Sequence, residues 1–245
     1  NHLTFADELE LGNNPYPEAV RQRIRAHFQA TGHNFGVEAA MPDIQRVQAL
    51  YPKFTQNDAS RFFYRLPGDT QGARQALTAL EAEFEKLGDD LQAWTVAVPG
   101  DHLVLGRALS ATEVAQQQAL RLEFSNQLKI CWRRLSERDS EDTDLLVPGH
   151  MLSASLSIMG ELPALTADFS HVTYLSLHSN GLLLEVDRFL ALFPNLDNLY
   201  LHNLQLDVVP SAVSRLGNLV ALDIVHCSLR LTPQTAGWLA ELEQL

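Results

Sequence analysis

Lysine is almost missing from this chain. It stands at 53, 86 and 129 only, among 18 basic residues in a sequence of 245. Acidic residues number 30, so the formal net charge is −12. That balance argues against nucleic acid and anionic membrane as partners, since both want a basic surface. Cysteine is as scarce, at 131 and 227 alone. Two cysteines do not build a disulfide framework, and reduced, inward-facing thiols of the cytosolic kind are expected. No apolar run approaches the roughly 18–20 residues of a membrane span. No signal peptide is visible, and the first residue is Asn1. Motifs for nucleotide, metal or serine-nucleophile chemistry are also missing: no phosphate-cradling glycine loop, no Cys-x-x-Cys, no His-Glu-x-x-His, no Gly-x-Ser-x-Gly. No catalytic residue, no metal and no cofactor is therefore expected. The plainest source of the lysine shortage is a GC-rich bacterial genome.

What is present is a repeat. Val172-x-x-Leu175-x-Leu177-x-x-Asn180-x-Leu182 returns as Leu196-x-x-Leu199-x-Leu201-x-x-Leu204-x-Leu206, then as Leu219-x-x-Leu222-x-Ile224-x-x-Cys227-x-Leu229. Phe169, Phe193, Leu216 and Leu239 precede successive units by three residues, in steps of 24, 23 and 23. This is the leucine-rich repeat pattern, whose period runs roughly 20–29 residues. A fourth unit, Leu239-x-x-Leu242-x-x-Leu245, stops inside its strand. A stacked repeat with an uncovered apolar strand exposes core and unpaired edge groups, so the expectation is a chain that continues beyond Leu245.

The first half reads as helices. Pro17 opens an apolar stripe of Val20, Ile24 and Phe28 that ends at Gly32. Ile44, Val47 and Leu50 mark a short helix from Pro42. Thr55 is placed to cap the next helix, which carries Phe62, Phe63 and Leu66, and Pro67-Gly68-Asp69 is a turn. A long helix over 71–96 follows, with Ala73, Leu77, Leu80, Phe84, Leu87, Leu91 and Trp94 at three- and four-residue steps. Ser110-x-x-Glu113 is a capping box for another over 111–137, carrying Val114, Leu120, Phe124, Leu128, Cys131, Trp132 and Leu135. The two long helices predict an antiparallel hairpin. Glu81, Glu83 and Glu85 read as a solvated charged face, and Trp94 and Trp132 as core. The acidic stretch from Glu137 to Asp144 reads as a connector. Leu152 to Met159 alternates like a strand, with Leu156 and Ile158 in a first, atypical strand that caps the repeats.

The predicted class is therefore α+β: an α-helical domain with a long helical hairpin over 1–144, a linker and capping strand over 145–168, and a leucine-rich repeat solenoid with short parallel strands over 169–245. In such a stack the repeat leucines point inward and the intervening positions line the concave face. The first unit presents Thr173, Tyr174, Ser176, His178 and Ser179. The second presents Asp197, Asn198, Tyr200, His202 and Asn203, and the third Val220, Ala221, Asp223, Val225 and His226. Tyr174, Ser176, His178, Asn198, Tyr200, His202, Asp223 and Val225 are the candidate partner-binding residues, and the partner is another protein. The competing reading is an ordinary solvated face. His178 and His202 are equivalent positions one strand apart, yet no third ligand stands at a fixed spacing for a metal. Asn180 suits a turn that bonds the neighbouring backbone; Leu204 in its place predicts a distorted or inward-packed turn. Cys227 occupies an inward repeat position, so its thiol is expected to be buried and inert.

Leu162-Pro163-Ala164-Leu165, running on through Asp168-Phe169-Ser170-His171-Val172, resembles the entry to the repeats in a group of large bacterial effector and toxin-like proteins. Tyr51-Pro52-x-Phe54-Thr55, Leu91-x-x-Trp94 and Cys131-Trp132-Arg133-Arg134 are similar as well, so the likeness covers roughly 50–245. Proteins of that group join helical segments to leucine-rich repeats and often end in a ubiquitin ligase domain of the novel E3 ligase type. The resemblance implies a bacterial virulence protein, secreted or delivered into a host cell, whose repeats select a host protein. It also implies an alternative, the recognition and autoinhibitory part of such a ligase, with the ubiquitin-loaded conjugating enzyme as a further partner of a downstream domain. The family's catalytic Cys-x-Asp is matched by neither Cys131-Trp132-Arg133 nor Cys227-Ser228-Leu229, so ligase chemistry is expected beyond Leu245. A segment for toxin delivery, with the repeats as scaffold, is the third reading.

Overall fold

The computed structural model describes residues 41–135, 150–204, 206, 209–225, 227, 233, 236 and 237. The expected helix over 17–31, the acidic connector over 137–144, His226 and the fourth repeat unit lie outside them. The chain divides into two compact units, Asn1–Glu81 and Ala82–Leu245. This division differs from the boundary at 144 drawn from the sequence, and it falls inside a helix.

In the first unit, α1 (Met41–Leu50) buries Ile44, Val47 and Leu50, the stripe expected of it. Tyr51 ends that helix, stacks on Phe54 at a ring separation of 5.0 Å and meets Phe62 at a tilt of 54° and 4.9 Å. Thr55 caps α2 (Gln56–Tyr64), as predicted. Its hydroxyl accepts from Asp58 N at 3.1 Å while the Asp58 carboxylate accepts from Thr55 N at 3.1 Å. Arg46 forks onto Glu81 at 2.8 and 2.6 Å, and Arg74 onto the buried Asp43. The long helix α3 (Thr70–Val96) then begins, and Gly88 does not interrupt it.

In the second unit, α3 and α4 (Ala111–Trp132) run antiparallel, as the hairpin reading requires. Phe84 stacks on Trp132 at 5.0 Å, Trp94 meets Phe124 edge-on at 6.1 Å, and Thr95 Oγ1 lies 3.1 Å from Ser125 Oγ. Ser110 and Glu113 form the expected capping box. The helix stops at Trp132, short of the predicted 137, and Arg134 sits at φ +56°. Three of its seven buried residues are polar: Gln117, Arg121 and Ser125 lie beside Phe124, Leu128, Cys131 and Trp132.

Beyond it, four strands form one parallel sheet in chain order: β1 (Met151–Leu156), β3 (Tyr174–Ser179), β5 (Asn198–His202) and β6 (Ala221–Val225). Two short strands, β2 (Gly160–Glu161) and β4 (Leu183–Leu184), form a second parallel ladder. The register places Leu152, Leu175, Leu199 and Leu222 side by side, and Ala154, Leu177, Leu201 and Ile224 beside them. The entries match too. The carbonyl of His150 accepts from Thr173 and Tyr174, that of Thr173 from Asp197 and Asn198, and that of Asp197 from Val220 and Ala221. Phe169 and Phe193, the in-phase aromatics, are fully buried 5.4 Å apart, with Phe189 between Phe193 and Phe124. Each such ring contributes about 1.5–3 kcal/mol on burial.

The first strand ends at Leu156 and not at Met159; Ile158 lies beyond it but is buried. The return after β4 holds one short helix, α5 (Val186–Leu190), entered from Glu185 at a left-handed φ of +61°. The next return is a single 3-10 turn, Val213–Arg215. Leu204 is 1% exposed after Asn203 at φ +57°, so the turn there does pack inward.

The β1 end of the sheet is closed by the helical hairpin. Helix α4 packs against β1. Gln117 donates to Ser157 O at 3.1 Å and accepts from Met159 N at 2.9 Å, so one amide pairs two backbone groups just beyond the end of β1. Arg121, 2% exposed, donates through Nη1 to Trp94 O and Ala97 O at 2.7 and 2.9 Å, and through Nη2 to Met159 O at 3.0 Å. Trp94 Nε1 reaches Glu161 O at 2.7 Å. Gly160 is needed at this seam: it sits at φ +101°, and a Cβ there would come within 2.9 Å of Pro99. Glu83 is not the solvated charge read from the sequence. Its Oε1 accepts from both Trp132 Nε1 and Asp168 N at 2.8 Å. Glu81 pairs with Arg46, leaving Glu85 as the exposed member of the three.

Two outcomes follow from this seam. Arg121→Met orphans three carbonyls and is expected to destabilise by about 2–4 kcal/mol, read as a shifted denaturation midpoint, with Glu85→Gln within about 0.5 kcal/mol of the parent. His171 packs behind the seam, its Nε2 2.9 Å from Cys131 O, and burial holds its pKa near 4 against an ordinary 6.5. The unfolded chain therefore takes up this proton at a higher pH than the folded one. Stability is expected to fall as pH drops from 6.5 towards 4, by at most about 1.4 kcal/mol per unit from this group. His171→Gln removes that component, and identical pH profiles for the two proteins would exclude it.

Candidate functional site

Strand alternation decides which side chains leave the core. In β3 and β5 every second residue is fully or nearly fully buried, and the residues between are half-exposed. Register then aligns the half-exposed ones into three columns. Tyr174, Asn198 and Ala221 form the first, Ser176, Tyr200 and Asp223 the second, and His178, His202 and Val225 the third. All eight residues singled out from the sequence lie on this one face. Neighbouring members of a column stand one strand apart, about 4.8 Å.

The face has internal order. The rings of Tyr174 and Tyr200 lie 5.2 Å apart, tilted by 34°, and Tyr200 meets His202 edge-on at 6.4 Å. His202 Nε2 is 3.3 Å from Asp223 Oδ2, and His178 Nε2 is 3.3 Å from Asn203 Nδ2. Asn198 donates through Nδ2 to Asp197 Oδ1. Each imidazole thus has a side-chain neighbour that fixes its ring. Among the described residues no cluster of three or more His, Cys, Asp or Glu is arranged to hold a metal ion.

Two sequence assignments change. Ser179, expected on the face, is fully buried; its hydroxyl accepts from Gly181 N and donates to Gly181 O, both at 3.1 Å. It does the turn-closing work expected of Asn180, which is exposed and contributes its backbone N–H to Leu156 O. Cys227, expected to be buried, is only partly covered, with its Sγ 3.5 Å from Leu201 O and from Val225 O. One strand of the face was missed. β1 adds Met151, Ser153 and Ser155 to the three columns through its pairing with β3. The alternation of Leu152, Ala154 and Leu156 carried that information.

The nucleophile candidates are weak. Cys131 is 2% exposed, and burial pushes its thiol up to about 12. Burial also raises the Cys227 thiol. Both are thiols at neutral pH, and the thiolate is the reactive form. A cavity of about 280 Å³ lies away from the face columns, lined by His102, Val104, Glu113, Gln117, Asn180 and Leu182 among others. Two of its polar groups, Glu113 and Gln117, are already engaged. Arg107 and Ser110 hold the Glu113 carboxyl well below the usual range, and Gln117 is spent on the seam. The described helices include none long and apolar enough to cross a membrane.

Compared with known proteins, the chain matches no family model, no curated protein and no solved structure.

Proposed function

We propose that this chain is a protein-recognition region: a leucine-rich repeat solenoid begun at Phe169, closed at one end by the helical hairpin, with the strand face as its binding surface. The observation that carries the reading is the three-column register of Tyr174, Ser176 and His178 with Asn198, Tyr200 and His202 and with Ala221, Asp223 and Val225. Parallel strands that repeat one backbone geometry place comparable side chains at a fixed spacing, which is what an extended recognition surface needs. Tyrosines supply rigid, amphipathic contact area at low conformational cost, and such residues dominate interface hot spots.

The parent proposed for it is a bacterial effector-like protein, as the likeness of 50–245 to that group implies. The protonated thiols of Cys131 and Cys227 support a division of labour in which this region selects a protein and any ubiquitin transfer belongs to another segment.

The test is capture of partner proteins from host-cell extract by the parent chain, by Tyr200→Ala with His202→Ala, and by Arg215→Glu on the return segment. Capture is expected to fall at least about tenfold for the face pair and to persist for Arg215→Glu. Equal capture by all three would sink the proposal.

A further inference from the structure

Resting on that recognition reading, we infer that the protein partner inserts an arginine side chain over the Tyr174–Tyr200 ring pair and pairs it with the carboxylate of Asp223. The two rings, 5.2 Å apart and tilted by 34°, make a half-exposed aromatic shelf. Asp223 is the cross-strand neighbour of Tyr200, so its carboxylate stands at the edge of that shelf. Its side chain is 44% exposed, and His202 engages one oxygen, Oδ2, at 3.3 Å.

Charge complementarity selects the occupant. None of the column positions on this face, from Met151 to Val225, is lysine or arginine, and the chain as a whole carries −12. A cation is the complement of such a surface. The geometry then separates arginine from lysine. A ring face and a carboxylate one strand apart, about 4.8 Å, suit a planar guanidinium that stacks with its plane and donates with its edge. An ammonium is a point charge with a tighter hydration shell and does not do both at once. Asp197, whose carboxylate accepts from Asn198, the cross-strand neighbour of Tyr174, adds a second negative charge at the start of β5.

The experiment uses the full 245-residue chain with carbon-13-labelled tyrosine rings, followed by NMR during titration with the pentapeptide Gly-Ser-Arg-Ser-Gly. Parallel titrations replace its arginine by lysine or by neutral citrulline. The arginine peptide is expected to shift the ring signals of Tyr174 and Tyr200. Citrulline, Tyr200→Ala and Asp223→Asn are each expected to weaken binding about three- to tenfold. Equal binding of the citrulline peptide, no ring shift at all, or binding indifferent to Tyr200 would overturn the inference. The peptide swap needs no protein variant, so a misfolded mutant does not blunt the test. Capture of partner proteins that still depends on the face, with no arginine selectivity, overturns this inference alone; capture that ignores the face overturns the recognition reading as well.

Discussion

A parallel sheet built strand after strand has an open edge at its first strand, and that edge must be closed. Here the closing is done by side chains of a helical hairpin. Gln117 pairs Ser157 O and Met159 N just past β1, Arg121 gathers three carbonyls from the hairpin and the strand turn, and Trp94 and Glu83 anchor either side. An unpaired buried peptide group costs about 1–3 kcal/mol, so several such groups left open where the chain leaves β1 would rival the stability of a whole domain. Arg121 makes the dependence sharper. It is a buried cation whose hydrogen bonds run to carbonyls, and its pKa is lowered chiefly by burial. It is tolerable only while those carbonyls surround it.

With the edge closed, each later strand needs only its predecessor. The matched entries at His150, Thr173 and Asp197 set every strand at the same height, and the columns of the face follow from that. The tyrosine pair, the histidine pair and Asp223 are neighbours because the period is kept, not because they are close in sequence. Recognition by this surface, as proposed, is a property of the stack; a register slip of one residue would turn the leucines outward and bury the tyrosines.

The periodic features were legible in the sequence. In-phase Phe169 and Phe193, the leucine columns and all eight face residues follow from spacing alone, and the caps at Thr55 and Ser110 follow from local chemistry. The seam was not legible. Gln117 and Arg121 sit at helical steps with Phe124 and Leu128, yet polar residues on a helix count as solvated unless their partners are known. Those partners lie up to 42 residues away in the chain. Glu83 was misread for the same reason: beside Glu81 and Glu85 it looks like one of a charged row, while its contacts to Trp132 and Asp168 depend on tertiary packing. The left-handed Glu185 that opens α5 is likewise announced by no residue preference.

Amide hydrogen exchange on the intact chain tests the central claim most directly. If the hairpin closes the sheet, the amide of Met159 and those of β1 exchange as slowly as the amides of β3 and β5, as one cooperative block. Rapid exchange at Met159 and along β1, beside slow exchange in β3 and β5, would contradict the account.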